Sequence, residues 1–127
     1  MIIALRVLGG LGALMFILQG IQWIVTPAAV AESLGMPLLE GIGASTQIGD
    51  LGSFFIVSGI MMVMGQLPGR SHWFYPPAML VLGAAVMRTL AAVSGYADFA
   101  GPFIVFEIVM GTILIVIGRQ LGKSAAG

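Results

Sequence analysis

Three charged residues interrupt long apolar stretches of the sequence and are its strongest candidates for chemistry: Asp50, Arg88 and Glu107. Two carboxylates can act as a general base and a general acid. An arginine between them can hydrogen-bond to both, because its planar guanidinium carries several N–H donors. Charges among apolar side chains are costly unless they are paired. We therefore expect these three residues to meet, with Arg88 between the two carboxylates.

The composition defines the environment in which such a cluster must exist. Of 127 residues, 59% are hydrophobic and 8% are charged, and the mean hydropathy is +1.10. Soluble domains carry about 25% charged residues, so a soluble globular protein is excluded, and disorder is excluded by the high hydrophobicity. An integral membrane protein remains, with membrane lipid as a necessary partner.

The same counts exclude several kinds of site. Five basic and five acidic residues give a net charge of zero, which argues against a nucleic-acid partner. The chain contains no cysteine and a single histidine, so thiolate sites and multi-histidine sites cannot be built from it. We expect no metal site and no cofactor.

Four segments have the length and polarity of membrane spans: residues 2–25, 46–65, 73–94 and 101–118. Each is close to the roughly 20 residues that cross a bilayer as a helix. The short connections predict an all-α, antiparallel bundle of four transmembrane helices in one domain, residues 1–127. In the first loop, Thr26 and Pro27 predict the start of a short interfacial helix over residues 28–34, which Gly35 and Pro37 end.

Basic residues predict the orientation of the bundle. Those that flank the spans all fall on one side: Arg6, Arg70, Arg119 and Lys123. The loops on the other side contain acids but no base. The sequence therefore predicts that both termini are cytoplasmic.

All four predicted spans bring a polar group to the outer side of the bundle. At 1.5 Å per residue, Gln19, Asp50, Arg88 and Glu107 lie roughly 9, 6, 10 and 9 Å from the outer ends of their spans. Small residues at helical spacing around Arg88 indicate that it faces the bundle interior. The predicted pocket has Asp50, Arg88 and Glu107 as its floor and these ligand-binding residues around it: Gln19, Gln22, Trp23, Ser53 and Phe54.

Several functions are compatible with this pocket. The favoured one is binding of a small amphiphilic or lipid-soluble molecule. As an enzyme, the protein would use Asp50 as base and Glu107 as acid around Arg88, in the manner of some soluble epoxide hydrolases. As an accessory subunit, it would pack against a larger membrane complex or another copy of itself. A proton-coupled transporter fits less well, because the inner half is almost purely apolar. The three charges could also serve only to set helix register.

The sequence resembles a family of small bacterial four-helix membrane proteins defined as a domain of unknown function, close to the DoxX-like group. The residues that carry the resemblance are Gly20…Pro27, Leu34-Gly35, Asp50-Leu-Gly-Ser, Gly59 to Gly65, Arg88, Gly101 and Glu107. Members often have glycine where Met87 stands here. The resemblance implies a four-helix fold with a polar layer, in a protein of the bacterial inner membrane, and no particular activity. Some DoxX-like proteins are associated with quinone-linked sulfur oxidation, but no residue of this chain would itself conduct electrons.

Overall fold

The computed structural model describes residues 1–126, and these fold as helices joined by short connections. Helix α1 covers Ile2–Val25, α2 Pro27–Ser33, α3 Gly41–Gly65, α4 Tyr75–Val93 and α5 Gly101–Ala126. A 3₁₀ turn at Ser71–Phe74 precedes α4. Four segments are long and apolar enough to cross a membrane: Ile2–Val25, Gly41–Gly65, Ser71–Val93 and Gly101–Ala126. The predicted all-α, four-helix architecture of an integral membrane protein is confirmed.

Two helices differ from their predicted bounds. Helix α3 begins at Gly41 rather than at residue 46, so the first loop is shorter than expected. Helix α5 continues to Ala126 rather than ending at residue 118. Polar residues appear beyond residue 118, but Leu121 is only 4% exposed and packs into the core, so the helix continues for as long as it has an apolar face to bury.

The helices run antiparallel, so the bundle has two distinct ends. We call the end that holds both chain termini the terminal end, and the opposite end, which carries α2, the α2 end. At the terminal end, Arg6 Nη1 donates to the Gln66 carbonyl at 2.6 Å, and Gln66 Nε2 donates to the Arg6 carbonyl at 2.8 Å. This reciprocal pair ties the start of α1 to the end of α3.

Glycines allow α1 and α3 to approach closely. A Cβ at Gly59 would lie 2.9 Å from the Ala13 carbonyl oxygen and 3.0 Å from the Ile17 nitrogen. A Cβ at Gly20 would lie 2.9 Å from the Ile56 nitrogen. Because these neighbours are backbone atoms, they cannot move aside as a flexible side chain could. The two glycines therefore fix how α1 and α3 are rotated against each other.

The main core lies toward the terminal end. Its buried members come from α1, α3, the 3₁₀ turn, α4 and α5: Ala13, Phe16, Met62, Phe74, Ala78, Val81, Leu114, Ile117 and Leu121. Phe74 is fully buried and lies against two glycines, Gly9 and Gly65, whose missing side chains make room for its ring. We call this region the packed half.

A smaller core closes the α2 end. Trp23, Val30 and Ala31 are buried there, with α2 folded back against the end of α1. The chain that follows α2 is held by Gln47, whose Oε1 accepts from the Leu39 N–H at 2.7 Å and whose Nε2 donates to the Pro37 carbonyl at 3.1 Å. Pro27 occupies the first turn of α2, as predicted. This segment caps the bundle above the layer in which the charged residues lie.

Candidate ligand-binding cavity

Arg88 and Glu107 form an ion pair between α4 and α5. Arg88 Nε donates to Glu107 Oε1 at 2.8 Å. The Glu107 side chain is 10% exposed and that of Arg88 is 34% exposed. Both residues lie in the half of their helix nearest the α2 end. The contact that the sequence predicted between these two residues is therefore present.

Phe103 holds the guanidinium from a second direction. The Arg88 Cζ lies 4.7 Å from the centroid of the Phe103 ring, within the range of a cation–π contact. Phe103 and Glu107 are one helical turn apart on α5, so their side chains share a face. The same stretch of α5 thus supplies both a carboxylate and an aromatic face to one arginine.

The ion pair leaves hydrogen-bonding capacity unused. Glu107 Oε2 is buried and has no hydrogen-bond partner among residues 1–126. Within the same residues, the guanidinium donates a hydrogen bond from Nε alone, so both Nη groups are free to bind another molecule. Buried polar atoms are nearly always hydrogen-bonded, and an exception calls for an explanation. Two other buried polar atoms lack a partner among the described residues, Trp23 Nε1 and Ser58 Oγ, but only Glu107 belongs to a residue that lines a cavity.

A cavity of about 370 Å³ lies beside the pair. Its lining comes from helices α1, α3, α4 and α5 and from the residue that follows α2. The lining residues are Met15, Phe16, Gln19, Leu34, Phe54, Phe55, Val81, Arg88, Pro102, Phe103, Phe106 and Glu107. Most of these side chains are apolar, and the polar ones are Gln19, Arg88 and Glu107. This size and this mixture of groups are typical of sites for small molecules. We call the part of the bundle around the cavity the hollow half.

The cavity has a side opening between α1 and α5. Met15 on α1 is 40% exposed and Phe106 on α5 is 47% exposed, and both also line the cavity. A side chain that both lines a cavity and is accessible from outside lies at its edge. Because these helices are membrane spans by length and polarity, the opening faces the hydrocarbon region of a bilayer.

Asp50 does not join the cluster, so the predicted triad is a pair. Its side chain is exposed on α3, and it does not line the cavity. Of residues 1–126, none forms an ion pair or a side-chain hydrogen bond with its carboxylate. Asp50 precedes Phe54 by one helical turn, so it lies on the same side of α3 but nearer the α2 end, beyond the part of α3 that lines the cavity.

Of the five predicted ligand-binding residues, two line the cavity and three do not. Gln19 and Phe54 line the cavity. Gln22 and Ser53 are exposed and do not line it. Trp23 is fully buried in the small core beneath α2, with its indole N–H lacking a partner within the described residues. Ser53 lies on a different face of α3 from Phe54, whereas Gln22 lies one turn beyond Gln19, nearer the α2 end than the cavity.

Residues that the sequence did not single out for this site are mostly aromatic. Phe16, Phe55 and Phe106 line the cavity beside the expected Phe54, and Phe103 stacks on Arg88. Their spacing carried part of the signal, since Phe16 precedes Gln19 by three positions and Phe103 precedes Glu107 by four. Phenylalanine is common in membrane spans, however, and only the packing distinguishes a ring that faces a cavity from one that faces lipid.

A second pocket, of about 260 Å³, lies at the terminal end between residues 67–71 and the end of α5. Arg6, Ser71 and Ser124 line it. The Arg6 guanidinium already donates to the Gln66 carbonyl. This pocket contains no buried polar atom that lacks a partner within the described residues, and the cavity beside Arg88 is the stronger candidate site.

Comparisons with known proteins give no relative for this chain: no protein-family model, curated protein or solved structure matches it.

Proposed function

We propose that the protein binds a small amphiphilic or lipid-soluble molecule in the cavity of the hollow half. The observation that carries this proposal is Glu107 Oε2, a buried carboxylate oxygen without a partner in residues 1–126, beside a guanidinium with free Nη groups. A pair that served only to hold α4 against α5 would be expected to satisfy both oxygens. The apolar walls would hold the body of the molecule, and the side opening would admit it from the bilayer.

Native mass spectrometry after purification in a mild detergent tests this proposal. We expect a small molecule to remain bound to the wild-type chain and to be lost from the double variant Arg88→Met/Glu107→Leu, which removes both polar groups together. Asp50→Asn is the matched control, because it alters a carboxylate outside the cavity. A wild-type chain that retains no molecule from its native membrane under these conditions contradicts the proposal.

The acid–base alternative needs a second carboxylate beside Arg88. The described residues that line the cavity supply only Glu107, since Asp50 is exposed and is not part of the lining. Nothing in the geometry therefore favours this enzyme over a binding protein.

The position of Asp50 favours a second function, that of a subunit in a membrane complex. Asp50 lies nine residues after the start of α3, about 13 Å along the helix axis. An exposed charge without a partner is rare and costly within a membrane helix. Gly49 and Ser53 are exposed beside it, and small residues allow another helix to approach. We propose as occupant a partner helix with a basic side chain that would pair with Asp50.

A chain that copurifies with the wild-type protein and is lost from Asp50→Asn, while the small molecule stays bound, would establish this second function. A wild-type chain that remains monomeric in native membranes would contradict it. If the complex that copurifies has twice the mass of the protein, the occupant is another copy of the chain.

We further propose that both termini are cytoplasmic and that the membrane is the bacterial inner membrane, as the charge distribution and the family resemblance imply. Four bases lie toward the terminal end: Arg6, Arg70, Arg119 and Lys123. Because the chain has no cysteine, single substitutions can report the side on which each end lies. An impermeant maleimide should label Glu40→Cys in whole cells and should label Lys123→Cys only after lysis; the reverse pattern would contradict the orientation.

A further inference from the structure

We infer that the molecule in the cavity carries an uncharged head group that donates one hydrogen bond to Glu107 Oε2 and accepts one from the free Nη groups of Arg88. This inference rests on the proposed function and specifies the chemical class of the ligand. A hydroxyl or a primary amide has both abilities in one small group.

The charge balance of the cavity favours a neutral head group. Arg88 and Glu107 already neutralise each other at 2.8 Å, and the remaining polar side chain of the lining, Gln19, is uncharged. An anion would leave the cavity with a net charge of −1, and a cation with a net charge of +1. Either excess would lie among apolar walls, where an unpaired charge is strongly disfavoured.

The hydrogen-bonding groups demand both a donor and an acceptor. Ionised Glu107 can only accept, and its buried Oε2 has no donor among the described residues. Arginine can only donate, and the Nη groups of Arg88 have no acceptor there. A head group that only accepts, such as an ether, would satisfy Arg88 and leave Oε2 buried without a partner. A group that does both would satisfy the two residues at once.

The walls indicate the body attached to this head group. Five phenylalanines contribute to the lining: Phe16, Phe54, Phe55, Phe103 and Phe106. Aromatic side chains pack well against flat, unsaturated rings through edge and offset contacts. At about 370 Å³, the cavity lies near the small end of the range for ligand pockets. The ligand class is therefore a small, flat, apolar molecule with a hydroxyl or primary amide at one end.

Three probes with the same body separate the possible head groups: 4-butylphenol donates and accepts, 4-butylanisole only accepts, and 4-butylbenzoate is an anion. Binding is measured by equilibrium dialysis against the full chain in lipid nanodiscs, with empty nanodiscs subtracted to remove partition into lipid. We expect the phenol to bind about tenfold to a hundredfold more tightly than the anisole, because hydrogen bonds to charged groups contribute that much. The benzoate should bind no better than the anisole.

A pair of amide variants tests whether Glu107 is the residue that distinguishes a head group with a hydrogen-bond donor from one without. Glu107→Gln introduces an N–H donor, so the preference for the phenol over the anisole should fall several-fold. Asp50→Asn makes the same chemical change on the exposed carboxylate and should leave the preference unchanged. Circular dichroism and the thermal midpoint of each variant show whether the bundle is intact. An intact Glu107→Gln chain with the wild-type preference would overturn the assignment.

The outcomes separate this inference from the proposed function. Tightest binding of the benzoate, or equal saturable binding of all three probes, would overturn the neutral donor–acceptor head group but leave a ligand-binding cavity. Absence of saturable binding for every probe would also overturn the inference. If, in addition, no small molecule is retained on purification, the proposed function fails with it.

Discussion

The packed half and the hollow half are built from the same four long helices but differ in what fills the space between them. In the packed half, Phe74, Met62 and Ile117 are fully buried and fill the gap between the helices. In the hollow half, an arginine, a glutamate and several phenylalanines surround a space of about 370 Å³. Aliphatic side chains next to glycine or alanine can interdigitate. A guanidinium and a carboxylate cannot be covered in this way, because their free atoms still need partners.

This difference shows where stability and function are separated in so small a protein. The packed half holds the helices together through close contacts that tolerate little change. The hollow half leaves contacts unmade, and unfilled space beside unsatisfied polar atoms is what a ligand requires. Four substitution experiments can break or sharpen this contrast.

The largest effect is expected from removing a ring. Phe74→Ala deletes a fully buried side chain from the packed half and should lower the free energy of unfolding by about 3–5 kcal/mol. Phe54→Ala removes a ring that already borders the cavity and should cost less than half as much. Thermal unfolding of both variants in one detergent measures the difference. Equal losses would mean that the two halves are packed alike.

The second effect concerns the ion pair. Glu107→Leu leaves Arg88 without its carboxylate and should destabilise the fold by up to about 2.5–3.5 kcal/mol, the insertion cost of a charge in a helix span. Arg88→Leu/Glu107→Leu removes both charges and should recover most of that loss, because an apolar pair can replace an ionic one. Unfolding midpoints and ligand retention are measured together. A double variant that is less stable than Glu107→Leu would make the pair chiefly structural.

A matched pair of enlargements on α4 tests the space itself. Ala78 and Val81 are one turn apart, and both are almost fully buried, but Val81 borders the cavity. Ala78→Leu should overpack the core at a cost of about 1–3 kcal/mol. Val81→Phe can extend into the cavity, so it should cost little stability and should displace the bound molecule. If Val81→Phe destabilises the chain as much as Ala78→Leu and retains the molecule, the cavity has no room for a larger side chain and is not where the molecule binds.

The smallest effect is expected at Asp50. Asp50→Asn should not lower the free energy of unfolding, because the side chain is exposed, contacts no charged group within residues 1–126, and carries a charge that a membrane helix accommodates only at a cost. Ligand retention should also be unchanged. Loss of the bound molecule from this variant would show that Asp50 contributes to the site, in agreement with the three-residue cluster that the sequence predicts.

The sequence predicted the long helices well because the hydrophobicity that specifies a membrane span is a property of the local segment. A run of apolar residues favours the membrane wherever the rest of the chain lies, so the bounds of α1 follow directly. The bounds of α3 and α5 were less accurate. The residues beyond their predicted ends are more polar, and whether a helix continues through them depends on what it packs against, as Leu121 shows.

The polar layer was predicted in part. Arg88 and Glu107 were expected to pair because each is costly alone, and they do pair. Asp50 was expected to join them for the same reason, yet its side chain is exposed and does not line the cavity. Knowing that a charge needs a partner does not tell where along its helix the cavity of the bundle ends. The extent of the cavity depends on contacts between residues far apart in the chain, such as Gly59 with Ala13 and Gly20 with Ile56.

The amino-acid sequence by itself determined that this chain is a bundle of membrane helices with a few charges that composition cannot explain. Hydrophobicity adds residue by residue along a segment, so it can be read without knowing the fold. Only the tertiary structure decided that two of those charges meet, that the third lies outside the cavity, and that a cavity lined with phenylalanine lies beside the pair. Each of these facts depends on how whole helices are rotated and spaced, and that is set by close packing at glycines distant from the site.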